Sequence, residues 1–433
     1  MTVVFYLNNE DHTNVDYSMP MEGNPGIGGG QYIIWLIASL LSKKYNDLKC
    51  YLAARNISSM PDWMNCIQVN DICDLISKVK EINADILVYR GEKTNSAFFR
   101  EISKTNIKVI TWCHNFERYQ RAQGLANCSN IKRNVCVGKE QYDRLRDHDV
   151  YKKCTYIYNS LTYDIYNVDN KDKIRNSVCY LGSLHRPKGF HELAKIWGEI
   201  ESRVKDAQLY VLGSGTLYDK NAKLGKYGLA EDKYEKEFIR YLINDDGTIK
   251  DNVHFMGTVG GKEKIELMSK MQVGVVNPTG EGETFCIGAI EFEALGIPVV
   301  TIKKYSLIET VADKKSGLLF RNDKQFADNV VKLLSEKQLN EQLGDFGQEW
   351  VRDKFSLEKV LEKWYQLICD VYNDIPAYVE YNNDNLWNNR KWLREANRQL
   401  RKVFRFMPSI LWYEHMPNAF KKTLREIKKQ IAG

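Results

Sequence analysis

Hydrophobic positions in the first third of the chain form short continuous runs that alternate with longer amphipathic segments. The runs are four or five residues long, which suits buried strands, and the segments between them have helical length. The predicted strands are Val3–Leu7, Cys50–Ala53, Ile86–Arg90, Val109–Cys113 and Asn134–Val137, and the predicted helices are Gln31–Tyr45 and Lys139–Arg146. This alternation is typical of βαβ units on a parallel sheet.

The same alternation begins again near Val178. The strands predicted for this second series are Val178–Gly182, Gln208–Gly213, Val253–Met256, Val273–Val276 and Pro298–Ile302, and the helices are Phe190–Val204, Lys262–Met271 and Ile287–Leu295. The helices predicted to close the series are Gln325–Ser335, Glu336–Lys354 and Leu357–Tyr372. The sequence therefore predicts an α/β protein with two doubly wound, Rossmann-like parallel-sheet domains that face a cleft.

A polar run at Asn167–Asn176 separates the two series and is the predicted linker. Two cores agree with a length of 433 residues, because one domain usually holds about 100–200 residues. The predicted divisions are an N-terminal domain at 1–166, a C-terminal domain at 177–355, a closing helix and connector at 356–381, and a basic helical tail at 382–433.

Composition places the chain among packed globular proteins, with 43% hydrophobic and 27% charged residues. Its ten cysteines contain no C-x-x-C pair, so we expect a reducing, cytoplasmic environment and no zinc knuckle. The first residues lack the pattern of a signal peptide, and no apolar run reaches the ~20 residues of a membrane span.

Positive charge is concentrated in residues 386–433, which hold 12 Lys/Arg against 3 Asp/Glu. That excess exceeds the net +6 of the whole chain, so the remainder is slightly acidic, and no nucleic-acid partner is expected. A helix here, at about 100° per residue, would have an apolar arc made of Trp392, Leu393, Ala396, Leu400, Val403, Phe404 and Met407. Its opposite side would carry Arg394, Arg398, Arg401, Lys402 and Arg405. Such a helix predicts contact with an anionic membrane surface, and the alternative is that its apolar arc packs on the first domain or on a second subunit.

Candidate chemistry is densest between Asn277 and Val300, a segment that follows a predicted strand and opens a predicted helix. Backbone N–H groups near the helix start would suit a bound diphosphate. Glu283 precedes that helix and Glu291 lies about two turns along it, so both can face one cleft as acceptors for hydroxyl groups. The alternative is that they are solvated helix carboxylates, as we expect for Glu281 and Glu293.

This segment resembles the signature of the family 4 glycosyltransferases, in which two glutamates separated by seven residues precede a Gly-x-Pro-Val-Val sequence. Glu283 and Glu291 match that spacing, and residues 296–300 match its end. Residues 180–189 resemble the strand and basic loop of the family, and the likeness spans roughly residues 3–370. The resemblance implies the GT-B fold, with an N-terminal acceptor domain and a C-terminal domain that binds a nucleotide-sugar donor.

The resemblance also implies roles for individual residues. Lys188 matches a lysine that neutralises the donor diphosphate, but Ser183 stands where the family has an arginine. Either Arg186, three residues later, is the substitute, or the phosphate clamp is weaker. His114, at a strand end, matches a histidine that faces the donor sugar, so the predicted catalytic residues are His114, Lys188 and Glu283. The predicted donor-binding residues are Gly29, Gly30, Ser183, Arg186, Lys188, Glu283, Thr284, Phe285, Cys286, Ile287 and Glu291.

The implied activity is transfer of a sugar, with retention of configuration, to a glycan or lipid-linked acceptor in polysaccharide or glycoconjugate synthesis. A UDP-sugar is the expected donor and a GDP-sugar the alternative, with neither a metal nor another cofactor required. The protein is expected in the cytoplasm, or as a peripheral protein on the cytoplasmic membrane face. Two other readings stay open: a nucleotide-sugar epimerase of the same fold, and a non-catalytic scaffold that binds nucleotide-sugar, which Ser183 favours.

Overall fold

Two parallel sheets, each covered by helices, form the body of the molecule in a computed structural model that describes residues 1–12, 15–90, 96–168, 172–216, 222–379, 391–404 and 406–414. The first sheet has seven strands in the order β3-β2-β1-β4-β5-β6-β7, and the second has six in the order β10-β9-β8-β11-β12-β13. Every pair of neighbouring strands is parallel. We call each sheet with its covering helices the first and the second domain.

The first domain is built from the elements β1 (Thr2–Leu7), α1 (Gly29–Lys44), β2 (Lys49–Ala54), β3 (Asn65–Gln68), α2 (Ile72–Glu81), β4 (Ile86–Tyr89), α3 (Ser96–Ile102), β5 (Lys108–Cys113), α4 (Tyr119–Asn127), β6 (Ile131–Cys136), α5 (Lys139–Arg144) and β7 (Cys154–Tyr156). A 3-10 turn at Tyr163–Tyr166 leads out of it. Its central strands are buried on both faces, as expected where helices cover a parallel sheet.

The second domain is built from the elements β8 (Ser177–Leu181), α6 (Phe190–Arg203), β9 (Gln208–Leu212), α7 (Asp232–Ile239), β10 (Val253–Gly257), α8 (Gly261–Ser269), β11 (Val273–Val275), α9 (Ile287–Ala294), β12 (Val299–Ile302), α10 (Leu307–Thr310), β13 (Gly317–Phe320), α11 (Asp323–Ser335) and α12 (Lys337–Lys354). The strand order reverses between β1 and β4 in one sheet and between β8 and β11 in the other. Ligands of open α/β sheets bind at such switch points, outside the carboxyl ends of the strands.

The helix that follows, α13 (Leu357–Tyr372), packs against the first domain and does not close the second, contrary to expectation. The ring of Trp364 lies 4.2 Å from Trp112 and 6.4 Å from Phe5. Lys108 pairs with Asp374 at 2.6 Å just beyond the helix. The apolar face of α13 therefore completes the core of the first sheet.

The two last described helices, α14 (Lys391–Val403) and α15 (Ile410–Glu414), also dock on the first domain, and we call them the tail hairpin. The orientation of α14 excludes the alternative in which its apolar arc packs on the first domain, and the expected membrane contact stays a prediction. Its arginine side faces inward, with Arg394 only 1% exposed, because the buried carboxylate of Asp147 pairs with Arg394 and Arg398. The apolar side faces outward, with Trp392 exposed by 76% and Val403 by 75%. Within the described ranges, no helix has both the length and the hydropathy needed to cross a bilayer.

Candidate active site

A cavity of about 280 Å³ lies where the carboxyl ends of the two sheets face each other. The loops after β1, β4 and β5 form one wall, and the loops after β8 and β11, with the start of α9, form the other. The predicted site residues that line it are Gly29, Gly30, His114, Ser183, Lys188, Glu283, Thr284, Phe285, Cys286, Ile287 and Glu291. The fold thus brings together residues that are up to 262 positions apart between Gly29 and Glu291.

The N-terminus of α9 forms the floor of one wall. Its N-cap residue is Cys286, which makes no side-chain capping bond, so no side chain of the cap satisfies the first amides of the helix. Burial raises the pKa of the Cys286 thiol, which keeps it protonated. This helix end supplies uncapped N–H donors and the positive end of a helix dipole, a suitable partner for a phosphate group.

Lys188 and Glu283 form an ion pair at the edge of this helix end. The Lys188 ammonium lies 2.9 Å from the Glu283 carboxylate, which also accepts from Asn277 Nδ2 at 2.7 Å. Lys188 ends a 3-10 turn, and its carbonyl accepts from the Tyr180 hydroxyl at 2.9 Å. Gly189 follows with φ of +78°, where a Cβ would lie 2.7 Å from the Thr279 nitrogen, so only glycine fits.

Glu291 is held by two buried partners that lie outside the predicted site. Its Oε1 accepts from the Lys264 ammonium at 2.6 Å and from the Tyr166 hydroxyl at 2.8 Å. Burial and the Glu291 charge raise the pKa of Tyr166, so that its hydroxyl stays protonated. Both bonds use Oε1, which leaves the acceptor capacity of Oε2 for another donor. The bond to Tyr166 also connects Glu291 to the 3-10 turn between the domains.

His114 and Arg90 lie side by side on the first-domain wall. A Cβ placed on Gly30 would be 2.9 Å from the His114 ring and 3.1 Å from the guanidinium carbon of Arg90. Burial and the Arg90 charge lower the pKa of His114 well below its usual value, so the imidazole is neutral. Among the described residues, neither of its ring nitrogens meets a side-chain partner, and the Trp112 backbone opposes the lowering of its pKa only in part. A neutral imidazole can donate one hydrogen bond and accept another from a bound hydroxyl group.

Arg186 is the one predicted donor-binding residue outside the cavity lining. Its side chain is exposed and its guanidinium pairs with Glu237 on α7, with two contacts of 3.1 Å. The expectation that Arg186 substitutes for the missing arginine is therefore not supported by the geometry. Ser183 does line the cavity, and its buried hydroxyl has no hydrogen-bond partner in the part of the chain that the structure describes.

The domains are joined beside the cavity by Glu309 on α10. Its carboxylate accepts from the backbone N–H groups of Lys139 and Glu140, each at 2.8 Å, and from the Tyr158 hydroxyl at 2.9 Å. The Thr284 hydroxyl also donates across the cleft, to the His114 carbonyl. We call the contacts of Glu309 the interdomain clasp.

Two glutamates near the cavity, Glu140 and Glu293, are fully buried, although Glu293 was expected to be a solvated helix carboxylate. Glu140 lies inside the clasp, where burial, partly opposed by Arg144, raises its pKa to about 8. Glu293 is on the buried side of α9, where the Ser316 hydroxyl donates to its carboxylate and burial raises its pKa. Helical spacing alone does not distinguish these positions from the exposed Glu281.

Four residues of the site were not predicted from the sequence: Arg90, Lys264, Tyr166 and Asn277. Arg90 was detectable, since it ends a predicted strand next to the one that leads to His114. No local signal marks Lys264, whose partner lies 27 residues away. Across the described ranges, no group of three or more His, Cys, Asp or Glu side chains could hold a metal ion. Whether the reaction needs a metal stays a prediction.

Residues 164–350 match the model of the family described as glycosyl transferases group 1. The capsular polysaccharide biosynthesis glycosyltransferase CapM of Staphylococcus aureus is 26% identical over 216 residues, which are 47% of this chain and 51% of that protein. The poly(ribitol-phosphate) alpha-N-acetylglucosaminyltransferase of S. aureus strain COL is 26% identical over 208 residues, which are 47% of this chain and 39% of that protein. The matched part thus spans about half or less of the length of these relatives.

Solved structures give matches over both domains. Sucrose-phosphate synthase from Thermosynechococcus elongatus has a TM-score of 0.66 and 16% identity, and the match covers 86% of this chain and 100% of that one. Anabaena HepE in complex with UDP-glucose has a TM-score of 0.64 and 14% identity, with coverage of 86% and 100%. At such identities the likeness concerns the fold alone. The chain therefore has the GT-B fold, and its residues 164–350 match the model of the glycosyl transferases group 1.

Proposed function

We propose that this chain is a retaining hexosyltransferase that moves a sugar from a nucleotide-sugar to a glycan or lipid-linked acceptor, in polysaccharide or glycoconjugate synthesis. One observation carries the proposal. A single interdomain cavity contains the uncapped start of α9, the Lys188–Glu283 pair and the Glu291 carboxylate. Anion-binding groups thus stand beside acceptors for hydroxyl groups, which is the chemistry that a sugar attached to a nucleoside diphosphate requires.

The donor diphosphate would lie against the α9 amides and Lys188, whose fixed positive charge stabilises the leaving phosphate as its negative charge develops. Glu291 Oε2 would accept from ribose hydroxyls, while Glu283 and the neutral His114 would bind hydroxyls of the sugar. The bond between the anomeric carbon and the phosphate oxygen breaks as the acceptor oxygen bonds to the same carbon from the same face. The acceptor proton passes to the leaving phosphate, so no enzyme carboxylate acts as base.

The names of similar proteins support the choice of donor and pathway. HepE was solved with UDP-glucose, and a TarM variant of S. aureus was solved with UDP, alpha-GlcNAc-glycerol and fondaparinux. CapM is named for capsular polysaccharide biosynthesis. We therefore take a UDP-sugar as the donor, with a GDP-sugar as the alternative, and require neither metal nor cofactor.

A panel of UDP- and GDP-sugars tests the proposal by calorimetry and thermal shift, on wild type, Lys188→Ala and Glu291→Ala, without added metal. We expect one donor to bind selectively and to lose at least about tenfold in affinity in each variant, because each removes a charged hydrogen-bonding group. Hydrolysis or transfer of the bound donor then establishes turnover. Epimerised sugar as the product would favour the epimerase reading, binding without turnover the scaffold reading, and absence of binding to any donor refutes all three.

The location that we propose is the cytoplasmic face of a membrane. All ten cysteines are free thiols, in agreement with a reducing compartment. The outer side of the tail hairpin exposes an apolar ridge made of Trp392, Leu400, Val403, Phe404 and Phe406. Residues 415–433 add five Lys/Arg and one Glu, which favours an anionic lipid surface over a second copy of the same basic tail.

The tail hairpin is also connected to the cleft. Glu414 on α15 contacts Arg144 at 3.5 Å, and the Arg144 guanidinium lies 4.1 Å from the ring of Phe116. Phe116 belongs to the loop that begins with His114, on the wall of the cavity. A membrane bound by the apolar ridge would thus lie on the side of the molecule where a lipid-linked acceptor enters.

Flotation with phosphatidylglycerol vesicles tests this attachment. The variant replaces Trp392, Val403 and Phe404 by Ser, since deletion of the hairpin would also remove buried Arg394. We expect the wild type to float and the triple variant to stay in solution, with Tyr378→Ser, another exposed aromatic, as the control. Equal flotation of the wild type and the triple variant would refute the role of the ridge.

A further inference from the structure

Five charged side chains stand among the described residues that line the cavity. Its cationic side chains are Arg90, Lys188 and Lys264, and its carboxylates are Glu283 and Glu291. Each lysine forms a close ion pair with one glutamate, so these four groups compensate each other. Arg90 is the third cation among the described residues of the lining.

Arg90 belongs to the wall opposite the start of α9. It follows β4 directly, and β4 lies beside β1 at the point where the order of the first sheet reverses. Its guanidinium carbon would be 3.1 Å from a Cβ on Gly30, at the start of α1. The residues that follow β1 and β4 at a switch point are those that a bound ligand of an open α/β sheet meets first.

The charge of Arg90 affects another residue of the cavity lining. It contributes, after burial, to the low pKa of His114, whose ring lines the same wall. By contrast, Arg186 pairs with Glu237 outside the cavity, and Ser183 brings only a neutral hydroxyl to the lining. Arg90 is thus the arginine among the described residues of the cavity lining. It belongs to the first domain, whereas the phosphate-binding loop that the sequence predicted belongs to the second.

From these positions we infer that Arg90 binds the diphosphate of the donor, opposite α9 and Lys188. The inference rests on the proposed function. A guanidinium presents several N–H donors in a planar fork, which suits two oxygens of a phosphate group. The diphosphate would then be bonded from both domains, so that donor binding draws the walls of the cleft together. Once the glycosidic bond breaks, Arg90 would share the charge of the leaving group with Lys188.

Calorimetry with uridine, UMP and UDP tests the inference, because the three probes differ only in their phosphates; guanosine, GMP and GDP serve if the donor carries guanine. We expect Arg90→Gln to lose about tenfold or more of the affinity for UDP and to bind uridine like the wild type. Arg90→Lys should fall between them, since an ammonium keeps the charge but not the fork. Arg186→Gln is the rival variant, and Arg203→Gln, on the outer surface of α6, is the matched control.

Unchanged UDP affinity in Arg90→Gln would overturn the inference, as would a loss that is found equally with uridine. A loss confined to Arg186→Gln would assign the role to that residue instead. The melting temperature of each unliganded variant shows whether Arg90→Gln disturbs the fold. If it does, the UDP and uridine affinities of Arg90→Lys test the inference instead. If the wild type binds no nucleotide, the proposed function fails and the inference with it, whereas normal UDP binding by Arg90→Gln refutes only the inference.

Discussion

The ion pairs and hydrogen bonds of the buried carboxylates in this molecule depend on partners that lie far away in the sequence. Glu291 is buried, and its charge is balanced by Lys264, which is also buried. Glu140 is buried as well, but its carboxylate oxygens have no hydrogen-bond partner among the described residues. Of these two buried glutamates, only Glu291 therefore has a cation within hydrogen-bond distance among the described residues.

Replacement of Lys264 by Met should lower the free energy of unfolding by about 3 kcal/mol, since a buried carboxylate loses its counter-ion. Glu291→Gln alone leaves the ammonium without its partner and should also destabilise. The double variant removes both charges, so its loss should be smaller than the sum of the two single losses. Urea unfolding of the four proteins measures this coupling, and strict additivity would show that the pair is not a unit.

Glu140 predicts a dependence of stability on pH. Its pKa of about 8 in the folded chain is above its ordinary value, so the folded state keeps a proton that the unfolded state releases. The stabilisation is complete below the ordinary carboxyl range and is lost as the pH rises towards 8. Glu309, whose pKa burial also raises, acts in the same direction.

Thermal melts between pH 5 and 9 check this dependence. Glu140→Gln should lose less of its melting temperature over that range than the wild type, with a difference of several degrees at pH 8, because Gln mimics the protonated acid. Glu281→Gln, at an exposed position, is the control and should follow the wild type. Parallel pH profiles for wild type and Glu140→Gln would contradict the assignment.

The sequence predicts those site residues whose position follows from a local pattern. His114 ends a strand, while Glu283, Lys188 and Glu291 stand at fixed distances from strand and helix ends, and all of them line the cavity. Arg186 was predicted by the same reasoning, but Glu237, 51 residues away, holds it outside. The fold brings this partner close, and no local sequence pattern around Arg186 indicates it.

At the level of elements, the same limit appears in the orientation of α14. Its periodicity reveals an apolar side and an arginine side, but periodicity does not tell which side packs inward. A buried anion decides it, because Asp147 accepts from Arg398 and from Arg394, and its carbonyl accepts from Arg401 at 3.0 Å. Strands β3 and β13 were also missed, and in β3 a polar residue at each end leaves only a short apolar pattern.

Asp147→Asn should release the tail hairpin. The substitution removes the counter-charge of two arginines, and we expect a loss of about 3 kcal/mol in the stability of this docking. Limited proteolysis should then cut between residues 380 and 414 earlier than in the wild type. Asp149→Asn is the matched control, since Asp149 is exposed and pairs only with Lys152 among the described residues. Equal cleavage of all three proteins would show that other contacts hold the hairpin.

At the level of the whole molecule, both sheets and the central cleft follow from the two series of alternating runs, whereas the contacts between the domains do not. The interdomain clasp joins α10 to the start of α5 through one carboxylate. Such a contact favours the closed arrangement over an open one. A ligand that binds both walls gains affinity when the closed state is already populated.

Glu309→Ala should therefore shift the cleft towards an open arrangement. We expect a larger radius of gyration in X-ray scattering and a UDP affinity that is lower by a factor of about 3 to 10, because less of the protein is in the binding-competent state. Saturating UDP should restore the wild-type radius. A variant with unchanged radius and affinity would mean that Thr284 and the remaining contacts suffice to close the cleft.

The return of α13 to the first sheet has a consequence for synthesis on the ribosome. Trp364 fills the space between Phe5 and Trp112, and Leu411 of α15 is buried in the core on the other face of the same sheet. The strands of the first sheet are synthesised first, but more than 200 further residues must be added after β7 before Trp364 is made. The second domain, contiguous from β8 to α12, can pack earlier. The middle of the chain would thus fold before the first domain is complete, and a nascent chain stalled before α13 would present an open apolar surface to chaperones.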